Sequence, residues 1–109
     1  SHLVHTGLVE ARAYHQRECF AEALRFARAE GIIPAPEPSH ALRAVAEEVE
    51  RAREEGVART ILVNLCGHGN FDMAAYDAYL SGEMNDYELP QEELDQAAAE
   101  LEGLPSLPY

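Results

Sequence analysis

Hydrophobic and polar positions follow two rhythms along this chain. Between Arg17 and Glu30, the residues Phe20, Ala23, Leu24 and Ala27 recur every three or four positions, with Cys19 and Phe26 widening the stripe. That spacing predicts an amphipathic helix, and Gly31 suits its C-terminal stop. A second stripe, Leu42, Val45, Val49 and Ala52, predicts a helix from about Pro38 to Glu55, ended by Gly56. Pro38 fits the first turn, where a missing N–H costs nothing. Phe71, Ala75 and Tyr79 predict a third helix over Phe71–Leu80, broken by Ser81-Gly82. A last one, from about Pro90 to Leu101, carries Leu94, Ala97, Ala98 and Leu101 and is closed by Gly103.

The other rhythm is extended. Thr60–Leu65 (Thr-Ile-Leu-Val-Asn-Leu) is nearly continuous in apolar residues, the pattern of a central parallel strand covered on both faces. Glu10–His15 alternates loosely and predicts a short strand, and Ile32-Ile33-Pro34 fits a brief buried one. Strands alternating with helices predict an α/β fold, a parallel sheet with flanking helices. Ligands of such sheets gather at the C-terminal ends of the strands. That topology would bring Glu37, His40, Cys66 and His68 towards one sheet edge.

Composition narrows the classes. A chain of 109 residues is enough for one small domain. Its net charge of −12 is uneven: residues 81–109 hold eight acids and no base, whereas the first eighty hold twelve acids and eight arginines. That balance argues against nucleic acid and anionic membranes as partners, and the acidic end reads most simply as a solvated surface. No apolar run reaches the roughly 20 residues of a membrane span, and no signal peptide is visible. Cys19 and Cys66 fit no disulfide or Cys-x-x-Cys pattern, which predicts a reducing, cytoplasmic compartment. The first residue is Ser1 rather than Met, as expected of a trimmed chain or a piece of a longer one.

Two segments could carry chemistry. In Cys66-Gly67-His68-Gly69-Asn70 the glycines permit positive φ and close approach of a ligand. The following helix start favours an anion or a ring acceptor; a plain tight turn is the alternative. Glu37, between Pro36 and Pro38, is a rigidly placed carboxylate that could act as general acid or base or cap the helix after it. His40 lies in that helix's first turn, where a structural role is the simpler reading. His2-x-x-His5 and Cys66-x-His68 do not have zinc spacing, so no metal site is expected. Cys66 as a nucleophile with His68 or His40 has no further sequence support.

Taken together the two segments point further. Glu30–Leu42 closely resembles the Glu-Gly-Ile-Ile-Pro-Ala-x-Glu-Ser-x-His-Ala pattern of the tryptophan synthase beta chain. Asn64-Leu65-Cys66-Gly67-His68-Gly69 resembles that family's Asn-Leu-Ser-Gly-x-Gly turn, and His68 with Phe71-Asp72-Met73 and Tyr76 looks like its second subfamily. The resemblance runs from about Leu8 to Gly82. It implies that residues 1–82 are a C-terminal segment of a fold-type-II pyridoxal-phosphate enzyme, with 83–109 an acidic helical tail. It also implies the joining of L-serine and indole to L-tryptophan, a homodimer, and in many members an alpha subunit that delivers indole. Glu37 matches the glutamate beside the cofactor that assists proton steps and indole attack. Cys66 matches a serine that meets the pyridine nitrogen. Gly67, His68 and Gly69 match the turn along the ring's edge.

There are three departures from the pattern. Cys66 replaces the serine, and a thiol is the weaker hydrogen-bond partner. Pro38 replaces the serine after the glutamate. The chain also has no lysine, and it lacks the family's Gly-Gly-Gly-Ser-Asn phosphate loop, so the covalent anchor and main phosphate grip are both missing. The segment alone is therefore expected to bind pyridoxal phosphate weakly or not at all and to make no tryptophan. Two other readings are a freestanding, non-catalytic small-molecule-binding or partner-docking module, and an enzyme for a different hydroxy amino acid.

Overall fold

The computed structural model describes residues 2–101. In chain order they form α1 (His2–His5), α2 (Gln16–Glu30), α3 (Pro36–Glu55), a 3-10 turn (Gly69–Phe71), α4 (Met73–Leu80) and α5 (Gln91–Leu101). The four helices read from the sequence are present, within two residues of their expected ends. The third is split, its first residues forming the tighter 3-10 turn. The stop expected at Gly103 lies outside the described residues, as do the side chains of Ala98 and Leu101.

Local chemistry explains the helix ends. At the start of α2, Glu18 Oε1 accepts the His15 N–H at 2.9 Å, and Asp86 Oδ1 accepts the Arg17 N–H at 3.0 Å, so two otherwise orphaned donors are satisfied. Gly31 then takes φ 71° and donates to the Ala27 carbonyl, the left-handed stop that costs glycine least. Pro36 opens α3, and Gly56, at φ 67°, closes it.

α2 lies along α3, and α4 closes over one end of α2. The core sits at that closure: Phe20, Ala23 and Tyr76 are buried, with Leu24, Ile33, Ala75, Tyr79 and Met84 around them. Phe20 meets Tyr76 edge-on at 4.9 Å and stacks on Tyr79 at 5.8 Å, geometries that suit the ring quadrupoles. Of the stripe expected on α3, Leu42 and Ala52 are buried, but Val49 is 42% exposed. Its flank contributes to a groove of about 300 Å3 between α2 and α3.

The expected parallel sheet is not formed. Among the described residues there is no strand, only one isolated antiparallel bridge, Pro34 to His68. The reason lies in how sheets form: an extended run becomes a strand only when a neighbour pairs with its backbone. Glu10–His15 instead lies against α3, held by side chains. Arg12 binds Glu10 and Glu48 at 2.8 and 2.9 Å, and the Tyr14 hydroxyl donates to Glu47 at 2.5 Å. Thr60–Leu65 is likewise unpaired. Its side chains keep the period-two alternation of an extended chain, with Ile61, Val63 and Leu65 half-buried and Asn64 and Cys66 exposed. Leu62 is 98% exposed. The segment borders a cavity of about 230 Å3 together with Ala41, Ala44 and Val45 of α3; the side of Leu62, expected to be covered too, is open.

Candidate functional site

The two segments singled out by their chemistry lie side by side. The Gly69 N–H donates to the Ile33 carbonyl at 2.8 Å, and the Ala35 N–H donates to the Gly67 carbonyl at 3.4 Å. These bonds flank the Pro34–His68 bridge and join the loop before α3 to the turn before α4. Glu37 and Cys66 therefore belong to neighbouring strips of backbone, although 29 residues separate them in sequence. This proximity was expected from strand ends; it arises instead from loop pairing without a sheet.

Glycine makes the approach feasible. A Cβ on Gly69 would stand 2.5 Å from the Pro34 carbonyl oxygen, 2.9 Å from Ile33 Cγ2 and 3.0 Å from Tyr76 Cε2. Backbone on one side and a packed ring on the other leave no room for a side chain. Gly67 adopts φ 84°, where other L-residues are strained.

Each expected site residue can now be placed. Glu37 is exposed in the first turn of α3, where the helix dipole favours its charge. It makes no capping hydrogen bond, and the N-cap is Ala35. Cys66 carries an exposed free thiol, whereas Cys19 is buried. Burial pushes the Cys19 thiol up to about 11, with the nearby Glu18 charge adding to the effect and Arg43 opposing it, so it is not the reactive cysteine. His68 is exposed; its Nδ1 accepts the Asn70 N–H at 3.3 Å, which leaves Nε2 as the outward donor. Its ring lies 5.4 Å from that of Phe71, which is 92% exposed. His40 is exposed and lines a separate cavity of about 400 Å3 with Glu10, Arg12, Tyr14 and Glu48. Among the described residues no three His, Cys, Asp or Glu side chains form a metal-holding group, and no helix is long and apolar enough to cross a membrane.

One residue of this region carried no assigned role in the sequence. Tyr76, on α4, donates its hydroxyl to the Pro34 carbonyl at 2.6 Å. In the sequence it counted only towards the second-subfamily resemblance; nothing local signals a bond to a loop 42 residues away.

The arrangement is a shallow wall. It offers a carboxylate with no partner among the described residues, a thiol and an imidazole, on a turn that Gly67 and Gly69 let lie against the Ile33–Ala35 loop. Such a donor and acceptor set fits one side of a planar, nitrogen-bearing cofactor. With no lysine in the chain, it does not supply a covalent anchor.

No family model matches the chain. Curated relatives do. The tryptophan synthase beta chain 2 of Methanosarcina mazei is 54% identical over 84 residues, which is 77% of this chain and 19% of the relative. That of Aeropyrum pernix is 53% identical over 90 residues, 83% of this chain and 20% of the relative. The tryptophan synthase beta chain of Pyrococcus horikoshii is 49% identical over 86 residues, 79% of this chain and 19% of the relative. This chain thus spans about a fifth of the length of the curated relatives it matches.

Proposed function

We propose that this chain, homologous to a segment of the tryptophan synthase beta chains, forms one wall of the active site of a pyridoxal-phosphate enzyme that joins L-serine and indole into L-tryptophan. The observation that carries the reading is the backbone pairing of the glutamate-bearing loop with the Cys66–Gly69 turn, sealed by the Gly69 N–H to Ile33 carbonyl bond of 2.8 Å. It joins the backbone next to Glu37 to the backbone next to Cys66, which supports a single flat ligand meeting both.

Bound pyridoxal phosphate supplies the electron sink that lets L-serine lose its hydroxyl and accept indole at the β-carbon. This chain's residues bind and orient. Cys66 offers its thiol to the pyridine nitrogen, more weakly than a serine hydroxyl would. Gly67, at φ 84°, shapes the turn along the ring's edge, Gly69 fastens that turn to the Ile33 carbonyl, and His68 borders the ring. Glu37, with no partner among the described residues, holds or moves a proton beside the reacting carbon. The covalent anchor and the phosphate grip come from other residues of the parent. By itself the segment binds the cofactor weakly and makes no tryptophan.

The finer fold follows from the same reading. Thr60–Leu65 is a strand of a fold-type-II parallel sheet whose neighbours the rest of the parent supplies, and the acidic residues after Gly82 follow as a tail that includes α5 (Gln91–Leu101), its last eight residues lying outside the described ones. The parent is a homodimer, with an alpha subunit as a candidate source of indole. A second reading, a freestanding non-catalytic binding or docking module, is favoured by the lack of any lysine.

A chimera separates the two. The matching 84 residues of the Methanosarcina mazei relative are replaced by those of this chain. The expected protein shows the cofactor's absorbance band and forms tryptophan from serine and indole. Glu37→Gln in it lowers the rate by about 100-fold, the usual scale of a positioned proton-transfer group. A folded chimera that binds no pyridoxal phosphate overturns the enzyme reading.

A further inference from the structure

Tyr76 belongs to neither loop yet touches both. It is 3% exposed on α4, its ring held edge-on by Phe20 at 4.9 Å. The hydroxyl donates to the Pro34 carbonyl at 2.6 Å, the residue after the Ile33 carbonyl that receives the Gly69 N–H. The ring's Cε2 borders the space that a side chain at Gly69 would need. Pro34 has no N–H, so its carbonyl is the one backbone polar group by which this residue can be tied down. Burial, first, and the charge of Asp72 raise the phenol above its ordinary value of 10.0, with the neighbouring Ser39 hydroxyl opposing them. The hydroxyl therefore remains a proton donor throughout the physiological range. Ser39, itself fully buried, donates to the Ala35 carbonyl at 2.7 Å and fixes the next residue of the same loop.

We infer that Tyr76 is a positioning residue: its buried hydroxyl clasps the Pro34 carbonyl and thereby sets the register of the glutamate-bearing loop against the Cys66–Gly69 turn. Ring packing holds α4 on the core, and the hydroxyl holds the loop on α4. The functional consequence, correct placing of Glu37 relative to Cys66, rests on the proposed active-site reading; the clasp itself does not.

The test uses Tyr76→Phe, which keeps the ring and its contact with Phe20. In the 109-residue chain, amide hydrogen exchange at Gly69 and Ala35 is expected to accelerate about tenfold, the scale of one lost hydrogen bond. Amides in the middle of α2 and α3 are expected to stay within about twofold. Equal acceleration everywhere, or none at Gly69, overturns the clasp. In the unaltered chain the Tyr76 hydroxyl proton should give a slowly exchanging resonance in through-space contact with Pro34, and its absence overturns the proposal even if the variant fails to fold. In the chimera, Tyr76→Phe is expected to lower kcat about tenfold with KM for serine little changed, and to shift the cofactor's absorbance. A chimera inert with the unaltered segment overturns the proposed function, and the exchange data then decide the clasp alone.

Discussion

At residue 69 three neighbours occupy the place of a side chain, the nearest a backbone oxygen at 2.5 Å. Backbone cannot rotate away as a flexible side chain can, so Gly69→Ala must push the two loops apart. The expected cost is about 1–3 kcal/mol, the usual range for overpacking, together with loss of the Gly69 N–H to Ile33 carbonyl bond. Urea unfolding of the two proteins measures the first, and amide exchange at position 69 measures the second. An alanine variant as stable as the parent would mean that the loops are not in this contact. The sequence pointed to Gly69 as part of a turn but not to this reason, because the obstructing atoms belong to Ile33 and Pro34, more than thirty positions earlier. Tyr76 was obscured for the same reason: it lay outside the stripe of Phe71, Ala75 and Tyr79, and the partner of its hydroxyl is remote.

Between elements, the contact of α2 with α3 is fastened at its rim by Arg43 and Glu18 at 2.9 Å, and Arg43 also lies over the Tyr14 ring at 5.3 Å. The guanidinium, chiefly through its hydrogen bond, holds the Glu18 carboxyl below its ordinary 4.5. Glu47 and Glu10 are held down as well, by Tyr14 and by Arg12 first respectively. A carboxylate whose folded value is depressed contributes stability above its unfolded value, and that contribution is lost as pH falls through the folded one. The melting temperature should therefore decline as the solution is acidified below about pH 4.5, and Arg43→Met should flatten that decline. Thermal melts of both proteins across the acid range test the sign. Helices were legible in the sequence because their signals are local: an apolar stripe at 3.6-residue spacing, then a glycine able to turn left-handed, as at Gly31 and Gly56. The sheet read from Thr60–Leu65 does not form among the described residues, because an apolar run carries no information about whether a pairing partner is present. That apolar run predicted a strand covered on both faces; the segment is extended but forms no strand, and the face of Leu62 is open.

For the molecule as a whole, that unpaired run is the main liability. Leu62 projects fully into solvent beside backbone that no described strand pairs, the kind of edge that recruits other chains. The isolated 109-residue chain is expected to self-associate with rising concentration, and Leu62→Lys should shift it towards monomer. Sedimentation velocity over a concentration series reads this directly; identical profiles for the two proteins would place the sticky surface elsewhere, the Val49 flank of α3 being next. The loop-to-turn pairing has the opposite character. It is made by main-chain atoms, so it does not depend on which side chains stand at 66 and 68. Those two positions are thus free to vary in chemistry while the backbone frame that carries them stays put. Such a frame suits diversification: variants randomised at 66 and 68 should keep slow amide exchange at Gly69 and Ala35, the mark of one unchanged scaffold.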